Sequence, residues 1–153
     1  MVRQPGWWIG LLEATAIVSA VLAVLVGWVV GAGGPAASAC TAYPGCLFTP
    51  SGVVAGIHVV GAGLLLLLAL VSLVLALALR ATAPRLALWA AAALGVLIGM
   101  ASLGSLFAAG VLSTSLAPVQ YGFLTALVAL DLILAGATHA AGRSDARAGP
   151  VGR

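Results

Sequence analysis

The chain is 153 residues long, 63% hydrophobic and only 6% charged, with a formal net charge of +3 at neutral pH. A soluble domain is about one quarter charged, so this composition excludes a water-solvated fold and specifies an integral membrane protein. At about 20 residues or a little more per crossing, the length suits four spans with short connections, hence one domain, 1–153, with no separate soluble part.

Residues 1–6 carry Arg3 and Pro5, and an apolar run follows from Trp7 to Ala32. Trp7 and Trp8 stand where an interfacial aromatic belt is expected, with Trp28 toward the opposite boundary. The run competes with a signal peptide, and Ala37-Ser38-Ala39-Cys40 imitates a lipoprotein cleavage box. It is about twice as long as a usual apolar h-region and contains Glu13, so a retained span is expected. Segment 33–52 is rich in Gly, Pro, Ser and Ala and free of charge, which marks a loop. A second span is expected over 51–79, a tight basic turn from Arg80 to Arg85, and a third span over 86–112. The short polar turn Ser113-Thr114-Ser115 leads to a fourth span over 117–141, and 142–153 reads as a flexible tail. The pattern predicts an all-α, up-and-down four-helix membrane bundle.

All six basic residues are arginines: Arg3, Arg80, Arg85, Arg143, Arg147 and Arg153. They fall in the two tails and the second connection, which an even number of spans puts on one side. The positive-inside rule makes that side the cytoplasm, with loops 33–50 and 113–117 outside a cell membrane crossed several times. The positive charge therefore reports topology, the lipid bilayer is the expected partner, and no basic and aromatic stripe suggests nucleic acid.

Cys40 and Cys46 fall in the outward loop, in the compartment where disulfides persist. One reading is a structural staple across a short loop, and the other is a redox pair exchanging with a partner thiol. Five intervening residues differ from the two of most catalytic dithiols. His58 lies about seven residues into the second span, roughly 10 Å below its outer boundary. An ionisable group at membrane depth points to function. Its helical neighbours Ala55, Gly61 and Ala62 are small, which leaves a flat surface beside the imidazole. That surface suits a planar macrocycle with His58 as axial ligand to a haem iron; equally, it suits close helix packing with an interhelical hydrogen bond. His139 falls at the opposite membrane face and reads as an interfacial residue near a helix C-terminus. Glu13 and Asp131 are the buried ionisables, both expected in the inner half. They are free to pair with each other or with Arg80 or Arg85, to relay protons, or to stay neutral and hydrogen-bonded.

Several of these residues form a pattern. A first span ending in Gly31-Ala32-Gly33-Gly34 leads to the loop Ala39-Cys40-Thr41-Ala42-Tyr43-Pro44-Gly45-Cys46, and then to a second span with His58. Over residues 9–140 this order resembles one four-helix half of haem A synthase, an eight-span family. The third span, Leu94 to Gly104, and its link through Pro118 are similar as well. The resemblance implies a haem cofactor and oxidation of the haem O methyl group to the formyl group of haem A, for terminal oxidases. The chain departs from the family at Ala55, where a glutamate is usual, and at Val59, where an arginine often stands. It also reads Val119-Gln120-Tyr121-Gly122 where a second axial histidine is expected. The second ligand would then be His58 of another subunit, Tyr121, or none.

Three functions follow. The first is a haem-binding, haem A synthase-like oxidoreductase that acts in haem A formation or terminal oxidase biogenesis, and the second a non-catalytic subunit or assembly factor of a respiratory complex. The third is a quinone-linked thiol oxidoreductase using Cys40 and Cys46. A Gly-rich bundle of this size is expected to form homo-oligomers and to meet terminal oxidase or haem biosynthesis partners. No phosphate-binding loop or zinc spacing is present. The spans show no row of polar residues at helical spacing, which a hydrated pathway would require.

Overall fold

The computed structural model describes residues 7–33, 50–108, 111 and 117–147. Four helices account for nearly all of them: α1 (Trp7–Gly33), α2 (Pro50–Ala78), α3 (Pro84–Ala108) and α4 (Ala117–Arg147). Three begin on or beside a proline, namely Pro50, Pro84 and Pro118. A first-turn residue has no intrahelical acceptor for its N–H, so the missing donor is harmless there, and proline's φ already suits the helix. The helix interiors are dominated by Ala and Leu, the strongest helix formers. Each helix contains a stretch long and apolar enough to cross a membrane: Trp7–Trp28, Gly56–Ala78, Pro84–Leu106 and Pro118–Ser144.

α1 packs against α2 and α4, and α3 packs against the same two helices, while the diagonal pairs hardly touch. The chain therefore runs up and down around a four-cornered bundle in sequence order. The start of α1, the end of α4 and the α2–α3 turn share one end, here the terminal end; the opposite end is the loop end. The α2–α3 turn is closed on one carbonyl. Leu79 O accepts from Thr82 N–H at 3.0 Å, Ala83 N–H at 2.9 Å and Thr82 Oγ1 at 3.0 Å.

Alanine and leucine share the inside of the bundle, while many leucines, valines and isoleucines stay outside. Its buried hydrophobic residues are alanines, leucines and Val26, whereas Leu66, Leu67, Val74, Leu88 and Ile133 are exposed. Lipid solvates large apolar side chains as well as a protein core does, so close backbone approach decides what goes inside. Two clusters fill the interior. Leu12, Ala16, Leu75, Ala76, Leu79, Leu86, Ala90, Leu134 and Ala135 form one toward the terminal end; Ala23, Leu65, Ala69, Ala93, Leu97 and Leu127 form the other toward the loop end.

Glycines set the spacing at the loop end. A Cβ on Gly61 would collide with Val26 Cγ2, one on Gly27 with Leu124 Cδ2, and one on Gly99 would come within 2.9 Å of Phe123 Cε1. Each glycine thus receives a branched or aromatic side chain from the neighbouring helix.

Two boundaries differ from the sequence expectation. α3 begins at Pro84, two residues before the expected start, and its described part runs to Ala108, with Val111 N–H reaching back to Leu106 O at 3.0 Å. α4 continues through Arg147, beyond the expected end near Ala141. The alanines around Gly142 favour helix, Gly142 packs against Ile9 Cγ2, and arginines near a helix C-terminus complement its dipole.

Candidate functional site

The α1/α4 seam carries most of the interior polar chemistry. Its antiparallel register is pinned from end to end by Ile9 against Gly142, Glu13 against His139, Ser19 against Asp131 and Leu124 against Gly27. One step forward on α1 matches one step back on α4, so every residue of the seam has a defined level.

At the terminal end His139 Nδ1 meets Glu13 Oε1 at 3.1 Å, with the two side chains 51% and 30% exposed. The contact is an ion pair when the imidazole is protonated. Within the next turns, Thr15 and Thr138 are buried and donate their hydroxyls to the Leu11 and Leu134 carbonyls at 2.7 and 2.6 Å. At the level of Ser19 lies Asp131, 3% exposed and in the middle of the apolar stretch Pro118–Ser144. The Ser19 hydroxyl bonds one of its carboxyl oxygens, while Oδ2 has no partner. On α2 the Ser72 hydroxyl is likewise buried without a partner. Beyond Asp131 the outer side of the seam becomes apolar, with a groove of about 260 Å³ lined by Ala20, Val21, Val24, Leu25, Val128 and Leu132.

No family model, curated protein or solved structure matches this chain.

The residues singled out by sequence fall into separate places. His58 is exposed on α2 near the loop end, beside the equally exposed Val53, Ile57, Val59 and Val60. Among the described residues it has no hydrogen-bond partner. Gly61 is buried under Val26 and Ala62 is half-buried, so part of the low surface beside His58 is used for α1/α2 packing. Ala55 belongs to α2, and its side chain lies outside the described residues, as do Cys40 and Cys46. Tyr121 is exposed on α4, across the bundle from α2. Glu13 pairs with His139 rather than with Asp131, Arg80 or Arg85. Asp131 stands at the middle of the apolar stretch Pro118–Ser144.

Among the described residues the two histidines cannot both ligate one haem, since His58 is near the loop end and His139 is engaged at the terminal end, with the two apolar clusters filling the interior between them. The α1/α4 groove is smaller than most small-molecule sites, which run from about 300 to 1,000 Å³. Among the described residues no group of three or more His, Cys, Asp or Glu converges to hold a metal ion.

Ser19, Ser72, Thr15 and Thr138 are the interior polar groups that the sequence analysis left unassigned. Thr15 and Ser19 are one helical turn apart, and Asp131 and Thr138 two turns apart, a spacing that places each pair on one helix face.

Proposed function

We propose that this chain presents His58 at a subunit boundary as a haem-ligating imidazole, in a membrane protein of haem A formation or terminal oxidase biogenesis. The observation that supports this reading is the exposure of His58 near the loop end of α2, within an apolar span. An imidazole at membrane depth without a partner is unfavourable, and a metal bond or a second chain would offset that. The flanking Ile57 and Val59 are exposed and apolar, which suits the edge of a porphyrin. The second axial ligand would come from the partner, since His139 is at the other end of the bundle. The arginine distribution puts the termini in the cytoplasm and His58 near the outer face. Bound haem would supply the redox chemistry; this chain would supply the imidazole and the apolar surface.

The test is the visible absorption spectrum of the detergent-purified protein, oxidised and reduced, beside His58→Ala. A Soret band that collapses in the variant, at one haem per two chains, is the expected result. Protein that stays colourless after haem is added overturns the reading.

The filled bundle interior and the missing second ligand favour a second reading, a non-catalytic subunit or assembly factor of a respiratory complex. His58 would then contact a partner chain directly. In that case His58→Ala would change the size of the native complex without any change in colour.

A further inference from the structure

Asp131 is buried in mid-membrane with one oxygen held by Ser19 and the other, Oδ2, unpartnered. A carboxylate removed from water with no cation beside it is far less stable than the neutral acid in the same place. The titratable groups on the packed elements all lie away from it. Glu13 on α1, His139 and Arg143 on α4, and Arg80 and Arg85 at the α2–α3 turn are at the terminal end, with the three arginines exposed. His58 on α2 and Tyr121 on α4 are at the loop end.

The seam is asymmetric about Asp131. Toward the loop end its outer side is the apolar groove between Ala20 and Leu132. Toward the terminal end the seam leads to the partly exposed Glu13–His139 pair, with the buried Thr138 beside it. Ser72 on α2 is a further buried hydroxyl without a partner. Ser19 lies six residues beyond Glu13, about 9 Å along the axis, so the gap from the pair to Asp131 is a few hydrogen-bond lengths.

We propose that Asp131 is a proton-binding site at the bundle midplane, loaded and unloaded from the aqueous phase at the terminal end through the Glu13–His139 pair. One proton is taken up from water by the pair and passed inward along the α1/α4 seam to Asp131 Oδ2. The O–H bond formed on Asp131 replaces one broken at the pair, and nothing is oxidised or reduced. The site is independent of the haem reading, because it shares no residue with the His58 surface.

Infrared spectroscopy of the full chain in lipid bilayers tests it. The protein has three acidic residues, Glu13, Asp131 and Asp145, so carbon-13 aspartate labels only two carboxyls. At neutral pH a protonated-carboxyl C=O band is expected that shifts with the label, persists in Asp145→Asn and moves in Ser19→Ala. In heavy water that band shifts down as the proton exchanges, and Glu13→Gln and His139→Gln slow the shift while Tyr121→Phe, at the loop end, leaves its rate unchanged. Absence of a label-sensitive acid band overturns the proton site. A band that exchanges equally fast in all variants overturns the route through Glu13 and His139. Colourless protein gives the same spectrum, so failure here and failure of the haem reading are separable.

Discussion

The two histidines occupy opposite situations. His139 lies on the tightly registered α1/α4 seam and meets Glu13 at 3.1 Å, whereas His58 is exposed near the loop end of α2 with no partner among the described residues. Both fall inside apolar stretches, at Pro118–Ser144 and Gly56–Ala78. Being inside an apolar stretch is therefore a poor guide to environment. What decides is whether a neighbouring helix brings a partner to the same level, as α1 brings Glu13 to His139.

Substitutions sharpen this contrast. The largest effect is expected at Gly61, one turn from His58 toward the terminal end and buried where His58 is exposed. Gly61→Leu drives a side chain into Val26 and should destabilise the bundle by about 1–3 kcal/mol or more, read by detergent-driven unfolding. An unchanged unfolding midpoint would mean that α1 and α2 do not approach there. Next comes Ser72→Ala, which removes a buried hydroxyl without a partner and should raise stability by about 1 kcal/mol. A loss instead would show that Ser72 holds a water or another polar group.

Smaller still is the Glu13–His139 pair, since both side chains reach solvent. A double-mutant cycle with Glu13→Gln and His139→Gln should give a coupling of no more than about 1 kcal/mol, weakening in high salt. Zero coupling at low salt would dissolve one half of the comparison. The smallest effect on stability belongs to His58→Ala, within about 0.5 kcal/mol, because the side chain supports no packing in this subunit. A large loss of stability in that variant would mean that the face is covered in the native assembly.

Much of the architecture is legible in the residues. Four apolar runs, the prolines at 50, 84 and 118, and the basic turn from Arg80 to Arg85 predict four helices and their approximate ends. The site is less so. No single span carries a polar row at helical spacing, yet Glu13 on α1 meets His139 on α4, and Ser19 meets Asp131. Pairs divided between two helices are invisible to any scan along the chain, since they exist only at one register of their pairing. His139 and Glu13 are 126 residues apart. Likewise, the small residues beside His58 are read equally well as room for a macrocycle or as a packing surface, and Val26 at Gly61 supports the second use at that position.

What the sequence determined by itself is the solvent and the number of crossings. Hydrocarbon offers backbone groups no partners, so long apolar runs have to become helices, and composition alone locates them. Only the tertiary structure decided which side of each helix is inside. These helices are apolar nearly all round, so no amphipathic stripe announces the buried face, and close fit at alanine and glycine selects it instead. That selection brought Asp131 to Ser19 and Glu13 to His139, and left His58 exposed near the loop end.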